Sequence, residues 1–119
     1  MNIEEFRSYC LTKKGVTESF PFDSETLVFK VMGKIFALSG LEHIPTQVNL
    51  KCNPERAIEL REEYGGIVYP GFHMNKKHWN TVEIENNIPF GILCELIDHS
   101  YDLVVLGLTK KGKEALNSL

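Results

Sequence analysis

The 119-residue sequence has no apolar run approaching the roughly 18 to 20 residues that a membrane-spanning helix needs. Its first residues, Met1-Asn2-Ile3-Glu4-Glu5, lack the cationic and apolar regions of a signal peptide. A cytoplasmic protein with no membrane partner is therefore expected. Only three cysteines occur, Cys10, Cys52 and Cys94, far apart and without a Cys-x-x-Cys pair. That argues against a disulfide framework or a zinc knuckle and predicts reduced, buried thiols. Positive charge is also scarce: 13 Lys and Arg stand against 16 Asp and Glu, a formal charge of −3. Composition thus gives no general attraction to nucleic acid. Gly-x-Ser-x-Gly, a P-loop, a Rossmann glycine pattern and His-Glu-x-x-His are absent. His43 and His99 lie far from His73 and His78, and that pair straddles an expected turn, so neither a metal nor another cofactor is expected.

What is present is 43% hydrophobic residues in patterned segments, enough for one domain spanning residues 1–119. Asn2 and Glu5 have capping-box spacing, and Ile3, Phe6 and Cys10 recur with helical period, so a helix over about 2–14 is predicted. Residues 19–23 hold Phe20, Pro21 and Phe22 without a period and read as a loop whose rings pack onto a sheet. The runs 27–32 and 35–38 flank Gly33-Lys34 and predict a β-hairpin with a Gly-X turn. Residues 46–52 alternate cleanly, with Val48, Leu50 and Cys52 on a dry face and Gln47, Asn49 and Lys51 on a wet one. Asn53-Pro54-Glu55 is an N-cap, a proline at the first helical position and a first-turn acid, starting a helix that Gly65-Gly66 ends. Residues 67–69 and 79–85 read as strands, 72–75 as a brief strand or loop. From Pro89, Leu93, Leu96, Ile97 and Ser100 share a helical face. Ser100-Tyr101-Asp102 suggests a bend into a second short helix, and Thr109 caps a last turn or two. Strands grouped between helices predict an α+β sandwich with an antiparallel sheet.

The densest local signal is residues 67–82, which contain no acid but carry Lys76, Lys77, His73, His78, Trp79, Asn75 and Asn80. Lysines neutralise phosphates, asparagines pair with base edges or phosphates, and an accessible indole stacks on bases. The same residues also fit a solvated hairpin tip with Trp79 covering the end of a core. The thiols fall at apolar positions of their elements, which suits inert small hydrophobes rather than nucleophiles.

Four ordered blocks carry a family resemblance: 19–31 (Ser-Phe-Pro-Phe through Leu-Val-Phe-Lys-Val), 49–55 (Asn-Leu-Lys-Cys-Asn-Pro-Glu), 69–82 (Tyr-Pro-Gly-Phe-His-Met-Asn-Lys-Lys-His-Trp-Asn-Thr-Val) and 97–105 (Ile-Asp-His-Ser-Tyr-Asp-Leu-Val-Val). The chain resembles the MmcQ/YjbR family of small bacterial proteins. That resemblance implies a CyaY-like α+β fold, with helices packed on one face of an antiparallel sheet, and a double-wing arrangement for DNA binding. It also raises iron binding by analogy with frataxins, but the first helix offers only Glu4 and Glu5 before basic residues, so no iron site is expected. The reading is a non-enzymatic module contacting DNA weakly and in a salt-dependent way through Asn75, Lys76, Lys77, Trp79 and Asn80, with Lys30, Asn49 and Lys51 secondary. An alternative is a module binding a small molecule or a protein, with His73, His78 and Trp79 lining a concave edge beside Pro70-Gly71. An enzyme using His73 or His78 as general base is the third reading.

Overall fold

The computed structural model describes residues 1–71 and 74–119. Helix α1 (Ile3–Leu11) is followed by β1 (Val16–Ser19), β2 (Thr26–Val31), β3 (Lys34–Gly40) and β4 (Gln47–Lys51). Helix α2 (Pro54–Glu63), β5 (Val68–Pro70), β6 (Trp79–Glu83), α3 (Phe90–Leu106) and α4 (Lys110–Asn117) complete the chain. The strands form one antiparallel sheet in the order β1-β2-β3-β4-β6-β5, with the helical layer on one face. This is the α+β architecture expected.

Local chemistry accounts for most element boundaries. At α1, Asn2 accepts from the Glu5 amide at 2.8 Å and Glu5 accepts from the Asn2 amide at 3.0 Å, a reciprocal cap. The helix stops at Leu11, short of Lys13, which pairs with Asp98 of α3 and lies 5.1 and 5.3 Å from the ring centroids of Tyr9 and Tyr101. Asn53 caps α2 with Pro54 behind it, as the sequence indicates. The β2–β3 turn is Met32-Gly33, with φ of 49° and 82°. Two positive φ values make it a type I′ turn, whose twist matches the flanking strands, in place of the Gly33-Lys34 turn expected.

Three expectations are corrected. Residues 16–19, partly read as loop, form edge strand β1. Phe20 and Phe22 do not pack down on the sheet: they are 46% and 67% exposed. Helix α3 runs through Ser100-Tyr101-Asp102 without a break.

The core is centred on Phe6, Phe29, Phe36 and Tyr101, whose successive ring centroids lie 5.8, 6.5 and 5.5 Å apart, two of the three contacts edge to face. The β2–β3 register slips so that Phe29 faces Ala37 and Lys30 faces Ile35, leaving Phe36 as an extra residue. The bulge allows Phe36 and Ala37 both to be fully buried. The Phe36 carbonyl lies just beyond the Ala37–Leu50 pair, where the β3–β4 ladder ends. Ser100 of α3 donates its hydroxyl to that carbonyl at 2.5 Å and accepts from the Lys51 amide at 2.8 Å, bridging β3 and β4 where their pairing ends. The side chain read as a helix break is a clamp between helix and sheet.

Candidate nucleic-acid interface on the open face of the sheet

With the helices on one face, strand alternation sends the other residues to the opposite face. Register places Ser19, Val28, Leu38, Asn49, Thr81 and Tyr69 in one row across all six strands. On one side of this row lie Lys30 and, farther along, the Lys51–Trp79 pair. On the other side lie the Thr26–Gly40 and Gln47–Glu83 pairs. The two ends differ in chemistry. One carries lysines, the other a carboxamide and a carboxylate.

The lysine-bearing end is completed by the turn before β6. The His78 and Trp79 amides both donate to the Asn75 carbonyl, at 3.1 and 3.0 Å, and the Lys77 amide donates to the Asn75 side-chain oxygen at 2.9 Å. Lys76 and Lys77 are exposed on this turn. Arg61 of α2 fixes it from the helical side, donating to Asn80 Oδ1 at 2.8 Å, to the Trp79 carbonyl at 3.4 Å and to the Lys76 carbonyl. The Gly71 amide donates to the Trp79 carbonyl at 2.9 Å. A Cβ on Gly71 would sit 2.8 Å from Trp79 Cβ and 3.0 Å from its carbonyl oxygen, so this crossing of chains requires glycine.

Lys30, Lys51, Trp79, Lys76, Lys77 and Asn75 therefore lie at one end of the sheet, although they come from three strands and a turn. Asn80 does not join them. It is 2% exposed, faces the helical layer beside Val82 and Leu50, and holds Arg61 and the Ala57 carbonyl. Alternation already places Asn80 with Val82 on the dry face, so its inclusion as a contact is corrected. Asn49 lies in the central row, where its side-chain oxygen accepts from the Thr81 hydroxyl at 2.5 Å. His73 lies outside the described residues. His78 is half-buried, and its carbonyl accepts from the Cys52 amide at 2.7 Å.

Sequence reasoning placed a concave site beside Pro70-Gly71. That reading rests partly on His73, outside the described residues; separately, the open face bears a cleft of about 430 Å³ at its other end, lined by neither His78 nor Trp79. Thr26, Leu38, Gly40, Gln47 and Asn49 form its floor. Phe22, His43 and Met74 reach it from loops. Gln47 was legible from the alternation in β4; Phe22, His43 and Met74 were not, because long-range folding brings their loops together.

The thiols are poor nucleophiles. Burial pushes Cys10 up to about 12 and, against the opposing pull of Arg56 and Arg61, Cys52 up to about 11. Cys94 is raised by burial as well. Tyr9 is held above the usual phenol range by burial and by its 2.8 Å hydrogen bond to Asp98. Among the described residues no three His, Cys, Asp or Glu side chains gather as metal ligands would, and no helix is long and apolar enough to cross a membrane.

Comparison with known proteins places this geometry in a family. A family model described as YjbR matches residues 11–103. The chain belongs to the YjbR family. It is 34% identical to the uncharacterised protein YjbR of Escherichia coli K12 over 120 residues, covering all of both chains. It is 43% identical to the uncharacterised protein YbdF of E. coli O157:H7 over 96 residues, 80% of this chain and 77% of that one. The crystal structure of Deinococcus radiodurans DR2400, described by the domain DUF419, superposes with a TM-score of 0.91 at 40% identity, covering 98% of this chain and 88% of that one. A Pseudomonas syringae protein superposes with a TM-score of 0.75 at 28% identity, covering 87% and 98%. The YjbR fold is thus shared over nearly the whole chain.

Proposed function

We propose that this YjbR-family protein is a nucleic-acid-contacting module that meets the phosphate backbone with the lysine-bearing end of its open sheet face. The observation that carries this reading is the convergence of Lys30, Lys51, Lys76 and Lys77 with Trp79 at one end of the sheet. The only charged side chain the described register adds to this face is Glu83, at the opposite end, and it is engaged by the Tyr69 hydroxyl at 2.9 Å and by Asn86 at 3.1 Å. An overall charge of −3 is compatible with a local cationic end, because screening at physiological salt limits the reach of the acidic body to about 8 Å.

Four lysines set the energetics. Phosphate contact through four cations gives weak, sequence-tolerant binding whose log K falls with log salt at a slope of about −3 to −4. Trp79, the single tryptophan, is half-buried and reports occupancy of this end directly. Titration of labelled duplex and single-stranded DNA by fluorescence anisotropy, at low and at physiological salt, is the test. The expected result is a dissociation constant in the range of about 1 to 100 µM, weakening steeply with salt, with Trp79 emission changing in parallel. Lys76→Ala with Lys77→Ala is expected to weaken binding and to reduce the salt slope by about 2. Absence of binding to either DNA form at low salt, or a double variant that binds like the parent, overturns the proposal.

A further inference from the structure

The cleft at the opposite end of the open face has the size and lining of a small-molecule site, and it stands apart from the lysines. Its volume of about 430 Å³ lies within the range of such sites. None of its described lining residues is Lys, Arg, Asp or Glu. Glu83 stands across from Gln47 and is already engaged by Tyr69 and Asn86, so an anionic ligand would lose hydration with no Lys or Arg in the described lining to offset it, and the lining favours an uncharged ligand over an anion. The polar groups it offers are specific. Among the described residues the Gln47 carboxamide has no hydrogen-bond partner, and it presents both a donor and an acceptor. Asn49 spends its oxygen on Thr81, which leaves its amide NH₂ to donate. These two side chains stand two residues apart on one face of β4, about 7 Å along the strand. His43 holds its Nδ1 2.8 Å from the Pro45 carbonyl oxygen, which can only accept. In the neutral ring the proton is therefore on Nδ1, and Nε2 is an acceptor.

The remaining surface is apolar and suited to a flat ring. Phe22 is 67% exposed, while Leu38 and Met74 offer a side chain of the sheet and a thioether that tolerates varied shapes against an aromatic face. We infer that the cleft binds a small, uncharged, planar heterocycle bearing a carboxamide-like edge, of the nicotinamide or nucleobase type. The ring lies against Phe22, Leu38 and Met74, and its polar edge meets Gln47 and Asn49.

Gly40 provides a clean block. A Cβ at this position would meet no atom within 4 Å, so Gly40→Val places bulk in the cleft without pressing on the fold, and valine suits a strand. The experiment is an NMR titration of the ¹⁵N-labelled protein with nicotinamide, with adenine, and with nicotinate as the charged counterpart of nicotinamide. Saturable shifts of the Gln47 and Asn49 side-chain NH₂ signals are expected with a neutral probe at millimolar concentration or below. Nicotinate is expected to bind about tenfold more weakly than nicotinamide. Gly40→Val should weaken the neutral probe about tenfold or more by occupying its space, with an unchanged melting temperature. Gln47→Ala, at an accessible side chain, should weaken it about threefold or more. Lys76→Ala with Lys77→Ala should leave this binding unchanged while still weakening DNA. Absence of saturable shifts with both neutral probes, equal binding of nicotinate, or parental affinity in a folded Gly40→Val protein overturns the inference.

Discussion

The hydroxyl of Ser100 lies between the Phe36 carbonyl and the Lys51 amide at 2.5 and 2.8 Å, fully buried, and serves two backbone groups that the β3–β4 ladder leaves unpaired. Ser100→Ala removes both hydrogen bonds and leaves a buried carbonyl and a partly buried amide without partners. The expected cost is about 2 kcal/mol or more, since each such orphan costs about 1 to 3 kcal/mol. Urea unfolding of the variant checks it; a loss under about 0.5 kcal/mol, the size of an ordinary surface substitution, would show that the bridge contributes little. Asn80 teaches a related lesson. Its residue type suggested ligand contact, whereas its place in the alternation assigned it to the helical side, where it orients Arg61. Position in the pattern was the stronger signal.

The turn leading into β6 is held by a close crossing at Gly71 and by Arg61 from α2, so the exposed lysines ride on a braced frame. Gly71→Ala puts a methyl 2.8 Å from Trp79 Cβ and 3.0 Å from the Trp79 carbonyl, and backbone has little room to yield. The variant is expected to lose about 1 to 3 kcal/mol of stability, to shift Trp79 emission, and to weaken DNA contact although no charge has changed. Parental emission and stability together would show that the crossing relaxes without cost. Elements of this kind were unevenly legible. β4 and α2 could be read from the sequence because each is locally consistent, one by strict alternation, the other by an Asn-Pro-Glu start. β1 is Val-Thr-Glu-Ser, a half-exposed edge with little burial to leave a mark, and its pairing with β2 decides its state. In α3 the Ser-Tyr-Asp triplet mimics a cap, yet packing against the β3 bulge keeps the helix continuous. The lysine cluster was partly visible in residues 67–82, while the contributions of Lys30 and Lys51 depend on strand order, and the cleft depends on loops far apart in the chain.

Burial of thiols couples the stability of the whole molecule to alkaline pH. Cys10 and Cys52 sit in the core under α1 and at the end of β4, raised from an ordinary value near 9 to about 12 and about 11. Below pH 8 both folded and unfolded chains keep these protons, and stability is insensitive to them. As pH rises past 9 the unfolded chain releases protons that the folded chain retains, so unfolding becomes more favourable. The loss continues until pH passes the folded-state values, and Tyr9, raised in the same direction, adds to it above its ordinary value near 10. Each thiol that titrates only in the unfolded chain contributes a slope of about 1.4 kcal/mol per pH unit. Urea unfolding at pH 7, 8, 9 and 10 is therefore expected to show a plateau followed by a steepening fall. Cys10→Val, similar in size and without a proton to lose, should be flatter above pH 9 than the parent. A parent whose stability stays constant from pH 8 to 10 would show that the buried thiols do not couple stability to alkaline pH, and a Cys10→Val protein that falls as steeply as the parent would remove Cys10 from that coupling.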